Sequence, residues 1–291
     1  MPAGESVRGL IERIRAVLKS SLGADLVLHG VVTGFRNSGY FDLQDEKDQR
    51  LSVSASYYGR EEVLTPLAEA GFPVQDGLPV MLRGYATLSN ARAQVRFIIT
   101  GVVPQYTRSI LKSRRDETNE RLAKEGVFER QRQLAFPLLP RGLGIVTSER
   151  GVVFEDLRRA LAAAAFRFDY VWIRCAVQGP EAVRDIPRAI TELARHPRVG
   201  VICLFRGGGS AMDLDAFNTY EIARSICDCP KPVLCAIGHR NDECSAQDVA
   251  FRNCHTPSLL GEFLASRIEG LRQRVTGWVE IVARRMREAQ R

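Results

Sequence analysis

The residues with the most chemical potential follow an apolar run. Val199 to Phe205 leads into Arg206, Gly207, Gly208, Gly209 and Ser210, and then into Asp213 and Asp215. Consecutive glycines let backbone N–H groups point at an anion, an arginine can fork onto phosphate oxygens, and a serine adds a hydroxyl. The segment reads as a phosphate cradle, although a tight strand-to-helix connection draws on the same residue types. A second apolar run, Pro232 to Ile237, passes through Gly238 into His239, with Asp242 three residues further on. A third ends at Thr147 and Ser148, and Asp156 follows at the start of the next helical segment. Imidazole can protonate a leaving oxygen or orient water near neutral pH, a carboxylate can fix its tautomer or accept a proton, and Arg206 can neutralise charge developing on phosphorus. The candidate catalytic set is therefore Asp156, Arg206, His239 and Asp242. Thr147, Ser148, Gly207, Gly208, Gly209 and Ser210 are the candidate phosphate binders, and the chemistry is phosphodiester hydrolysis.

Such a set works only if one scaffold brings it together. From residue 141 onward short apolar strands alternate with helical segments, a pattern that predicts a parallel sheet covered on both faces. In sheets of this kind ligands bind at the carboxyl ends of the strands, near the point where strand order reverses. All three motifs fall there.

The first part of the chain follows another pattern. A short amphipathic helix over residues 6–21 precedes five strand-like runs, beginning near Leu26, Tyr40, Leu51, Leu78 and Gln94. The helical segment from Glu61 lies between the third and fourth, as in an OB-fold barrel. Such barrels bind single strands through a basic groove and aromatic platforms. Phe35, Arg36, Tyr40, Phe41, Tyr57, Arg83 and Arg96 are the candidate DNA-binding residues, with Tyr58, Arg60, Tyr85 and Arg92 beside them; a small barrel also needs large aromatics inside it. The fold class is α/β with an N-terminal all-β OB-fold domain, a parallel-sheet catalytic domain and a C-terminal helical extension. The boundaries are 1–106 for helix and barrel, 107–140 for a linker helix and loop, 141–259 for the α/β domain and 260–291 for a C-terminal helix. In that helix Leu264, Ile268, Leu271, Val275, Trp278 and Val282 recur four and three apart. This is either the start of a coiled coil or a helix lying on its own domain.

A net charge of +7 over 291 residues favours a polyanionic partner. The sequence has neither an apolar membrane span nor a signal-peptide core, so the expected location is cytoplasmic, with no membrane partner. Seven cysteines, an odd number, predict buried reduced thiols and not a disulfide framework, and their spacing lacks the paired knuckles of a zinc site. Asp156, Asp213, Asp215 and Asp242 have the oxygen chemistry that Mg2+ prefers, but a His/Arg site does not require a metal. No cofactor is strictly required, and Mg2+ is admissible.

These motifs resemble, in order, those of the large subunit of bacterial exodeoxyribonuclease VII. The matching stretches are GYFDLQD in the barrel, RLAKEGVF and LGIVTSERGVVFEDL at the junction, then RGGGSAMDLDAFN, PVLCAIGHRND and TPS at residues 256–258. The resemblance implies an exonuclease that degrades single-stranded DNA into short oligonucleotides, with copies of a small helical subunit as partner. It also places Asp156, Arg206, His239 and Asp242 at the family's proposed catalytic positions. Departures accompany the matches: Met212 and Arg240 stand where the family has acids, Cys244 for threonine, Gln247 and Phe251 for aspartates, and Cys254 and His255 for a small residue and proline. The alternative is accordingly a catalytically weakened or inactive single-stranded DNA-binding paralogue. A nucleotide-sensing interaction protein is a third reading.

Overall fold

The computed structural model describes residues 4–36, 38–48, 52–89, 94–148, 152–162, 166–207, 211–238 and 243–290. The chain divides into two compact units, Met1–Ser113 and Arg114–Arg291.

In the first unit, α1 (Val7–Leu22) starts at Ser6, whose hydroxyl accepts from the Gly9 N–H at 3.0 Å and so satisfies one orphan donor of the first turn. Five strands follow: β1 (Leu26–Thr33), β2 (Tyr40–Gln44), β3 (Ser52–Ser56), β4 (Pro79–Leu88) and β5 (Val95–Val102). They close into a barrel in the order β1-β2-β3-β5-β4, with β3 and β5 parallel and the other pairs antiparallel. Closure leaves no unpaired edge. The short helix α2 (Thr65–Glu69) lies between β3 and β4, and its Leu67 is buried along with Val32, Leu43, Leu82, Phe97 and Ile99. This is the expected OB fold.

Helix α3 (Pro104–Lys124) begins five residues before the expected Ser109, because proline has a helix-compatible φ and needs no partner for its missing N–H in a first turn. The division between the units falls inside it. Beyond that point Leu122, Val127 and Gln131 are buried in the second unit. The Gln131 amide donates to the carbonyls of Ile226 and Cys229 at 2.8 and 2.7 Å and accepts from the Val233 N–H at 2.8 Å.

The second unit contains β6 (Gly142–Thr147), α4 (Val152–Ala162), β7 (Asp169–Arg174), α5 (Gly179–Arg195), β8 (Val201–Arg206), α6 (Tyr220–Asp228), β9 (Val233–Ile237), α7 (Ser245–Asp248), β10 (Arg252–Asn253) and α8 (Pro257–Ala289). The strands form one sheet in the order β10-β9-β8-β6-β7, and every pair is parallel. Every residue of β8 and β9 is buried, as continuous apolar strands between two helical layers require. One layer packs Leu157, Leu161, Leu260 and Leu264 of α4 and α8 against Leu143, Ile145 and Phe205. The other packs Ile186, Ile190, Leu193, Ile222 and Ile226 of α5 and α6 against Val146, Ile202 and Leu204. Each fully buried side chain of this size contributes about 1.5–3 kcal/mol.

Helix α8 is buried at one end and exposed at the other. Its first turns are buried through Ile268, whereas Val275, Trp278, Val279, Val282 and Met286 are exposed. All seven cysteines are buried and free. Among the described residues no helix is long and apolar enough to cross a membrane.

Candidate active site

The chain leaves β6 to form β7 on one side and returns to form β8 on the other, so the strand order reverses between β6 and β8. In parallel sheets of this kind, ligands bind outside the carboxyl ends of the strands that flank such a reversal. Thr147 ends β6 and is buried, with Ser148 half-buried beyond it. Arg206 ends β8 with only 3% of its surface exposed. Its Nε donates to the Gly207 carbonyl at 2.9 Å. A cation is kept this deep only where polar groups or an anion compensate its lost hydration.

Gly207 has a packing role besides any anion chemistry. A Cβ there would come within 2.7 Å of Cγ2 of Val153, in the first turn of α4. Asp156 is one turn further along α4, 40% exposed, with Oδ1 3.7 Å from Nη1 of Arg159. On the next strand, Gly238 adopts φ 75°, a left-handed turn that suits glycine, immediately before His239. Gly208, Gly209, Ser210, His239 and Asp242 lie outside the described residues, as do Arg92, Arg240 and the side chain of Asp213. Of the remaining carboxylates, Asp215 is engaged by Arg114 at 2.5 Å. Among the described residues no group of three or more histidine, cysteine, aspartate or glutamate side chains is arranged to hold a metal ion.

The residues flanking positions 239–242 are tied down on both sides. Gln247 of α7 donates through Nε2 to the Ile237 carbonyl at 2.8 Å and to Oδ1 of Asn253 at 3.3 Å, while its Oε1 accepts from the Cys244 N–H at 3.2 Å. What reads in sequence as a lost carboxylate is a buried amide donor; an ionised aspartate could only accept. Glu243 pairs with Arg115, which also forks onto both oxygens of Asp248 at 2.6 and 2.9 Å. The Asp248 hydrogen bonds, then Glu243, hold the Arg115 guanidinium in its charged form more firmly than usual.

Sequence reasoning did not single out His255 as a site residue. It follows β10, on the same edge of the sheet, with φ 59° and its N–H bonded to Oδ1 of Asn253 at 2.9 Å. Its Nδ1 is buried with no hydrogen-bond partner among the described residues. The departure from proline was visible, but the position was not, because a two-residue strand has no periodicity to detect.

In the barrel the aromatic candidates separate into two groups. Phe41 and Tyr57 are buried and belong to the core, and the half-buried Phe35 lies against both at 6.3 Å. Tyr40 instead stacks with Tyr58 at 6.1 Å and 12°, and the Arg96 guanidinium lies 4.8 Å from the centre of the Tyr40 ring. Tyr58 is 71% exposed. Arg36, Arg60 and Arg83 are exposed, and Tyr85 is half-buried.

A closed OB barrel and a parallel sheet covered on both faces, with an arginine followed by glycine at one strand end, define a protein of two units. Comparison with known proteins agrees with each part. Residues 127–291 match the family described as "Exonuclease VII, large subunit", and residues 5–102 match "OB-fold nucleic acid binding domain". The exodeoxyribonuclease 7 large subunit of Koribacter versatilis is 31% identical over 285 residues, covering 97% of this chain and 60% of that protein. Those of Stutzerimonas stutzeri and Moorella thermoacetica are 36% and 33% identical, covering 86% and 90% of this chain and 52% and 64% of those proteins. The chain belongs to the exonuclease VII large-subunit family, and it spans between half and two thirds of the length of these relatives.

Proposed function

We propose that this chain is a single-strand-specific exodeoxyribonuclease that hydrolyses phosphodiester bonds, its barrel holding the strand and its sheet domain cleaving it. The observation that carries the reading is the placement of Thr147, Ser148, Arg206 and Gly207 around the β6–β8 switch point, with Gly238 turning the next strand end into His239. In this mechanism Arg206 and the backbone N–H groups of residues 207–210 hold the scissile phosphate and neutralise charge in the transition state. His239 acts as general acid or base, with Asp242 or Asp156 fixing its tautomer. No metal is needed for these steps, and Mg2+ would act as an auxiliary. The exposed stripe from Val275 to Met286 on α8 supports recruitment of a small helical partner subunit.

A second reading, a single-stranded DNA-binding paralogue with little or no turnover, is favoured by Gln247. Its amide is committed to Ile237, Asn253 and Cys244 and supplies no carboxylate. Wild-type protein and His239→Ala, incubated with end-labelled single strands and a duplex control in EDTA or Mg2+, separate the two. Shortening of single strands that vanishes in the variant is expected. Retarded but uncut DNA in every lane, with a small subunit added, would establish the paralogue instead.

A further inference from the structure

The edge strand β7 carries two unlike rows of side chains. Val171 and Ile173 pack toward α5, whereas Tyr170 and Trp172 in the other row are 38% and 39% exposed, and Arg174 continues that row to the strand's carboxyl end. Phe154 of α4 stacks on Trp172 at 5.1 Å and 26° and meets Tyr170 edge-on at 5.7 Å and 81°. The indole Nε1 donates to the Thr147 carbonyl at 3.4 Å, which fixes the ring beside the end of β6. Arg158, one turn beyond Phe154, pairs with Glu155 at 2.8 Å.

We propose that Tyr170, Trp172 and Arg174 form a track for single-stranded nucleic acid, bases stacking on the two rings and Arg174 taking a backbone phosphate, so that the strand is led to the β6–β8 switch point. The proposal rests on reading the sheet domain as a nuclease. Three observations select this occupant. Flat rings accept any base, which suits an enzyme indifferent to sequence. Arg174, at the carboxyl end of the row, has the charge that a phosphate backbone requires. The row also terminates at the strand end that carries Thr147, so a bound strand has somewhere to go.

The chain has two tryptophans, and the second, Trp278, is exposed on α8. In a Trp278→Phe background, Trp172 emission reports on this surface alone. Titration with oligo(dT) is expected to quench it saturably, with quenching weakened by salt and much smaller for a duplex of equal length. Tyr170→Ala should weaken that titration roughly tenfold, the loss of one stacked base, while Trp172→Phe keeps a ring in place and most of the affinity in a gel-shift assay. Unchanged Trp172 emission while the same oligonucleotide is bound or cut would overturn the track and leave the nuclease reading intact. Quenching without cleavage would support the track and remove the nuclease. Emission that follows protein concentration and not DNA, with dimers in sedimentation, would overturn the track by making β7 a protein interface.

Discussion

The barrel and the sheet domain use aromatic residues and arginines in opposite ways. In the barrel, outward side chains of the strands carry the candidate contacts: Tyr40 and Arg96 stand on β2 and β5, and Tyr58 joins them just after β3. In the sheet domain β8 and β9 are buried from end to end and β6 from its second residue onward, so only strand termini and the edge strand offer polar or aromatic groups to a ligand. The candidate contacts of the barrel therefore spread along its surface, while those of the sheet are confined to strand ends and one edge. A binding surface tolerates the loss of one contact, whereas a convergent site depends on the burial that positions it.

The sharpest difference between the two regions is in thiols. All seven cysteines are in the second unit, where burial raises their pKa values, those of Cys175 and Cys244 to about 12 and those of Cys227 and Cys254 to about 11. Cys203, Cys229 and Cys235 shift upward as well, again mainly by burial. A folded-state value above the unfolded one means that the stabilisation is complete below the ordinary thiol range and is lost as pH rises toward the folded values. As pH rises from about 8.5 through the folded-state values the sheet unit should lose stability, and the barrel none from this cause. Pulse proteolysis in urea, with fragments assigned to each unit, checks this; equal losses in both would break the contrast.

Next in size is Phe205→Ala, which empties a fully buried position in β8 and is expected to cost about 3–5 kcal/mol. The matching change in the barrel, Leu82→Ala, should cost about 2–5 kcal/mol and leave fragments of the sheet unit as resistant as before. Gln247→Leu removes the amide from two acceptors and should cost about 1–3 kcal/mol by urea denaturation. It should also lower the cleavage rate more than oligonucleotide binding, because the Ile237 carbonyl precedes the His239 turn. Tyr58→Ala should weaken oligonucleotide binding by about 1–3 kcal/mol with kcat unchanged, as expected of a surface that binds and does not react. A fall in kcat with KM unchanged would reverse the assigned roles. The smallest change is Tyr57→Phe, which deletes a buried hydroxyl without a hydrogen-bond partner among the described residues. It should leave stability unchanged or raise it by up to about 1 kcal/mol in a thermal melt.

Much of this architecture was legible in advance because it rests on short-range patterns. The five barrel strands and their intervening helix follow from alternation and turn residues, and the covered sheet follows from apolar runs separated by helices. Alternation places Tyr40 and Phe41 on opposite faces of a strand, as it does Tyr57 and Tyr58, but it does not say which face is inside. Closure of the barrel decided that, burying Phe41 and Tyr57 and exposing Tyr58. The candidate site was legible as strand ends followed by glycine, because backbone chemistry there depends on local sequence. The supporting residues were not. In sequence Gln247 is a missing acid, whereas in the fold its amide donates to the carbonyl of Ile237, and Arg115 acquires its role only through its pairing with Asp248.

By itself the sequence determined the fold class, the order of the elements and the candidate phosphate-binding motifs, since period, turn chemistry and glycine conformation act over a few residues. Only the tertiary structure decided that β6, β8 and β9 lie side by side, that Trp172 stands exposed on the edge strand next to Thr147, and which aromatics of the barrel are core. Those outcomes depend on pairings between residues tens of positions apart, where burial and strand register, and not local preference, set the free energy.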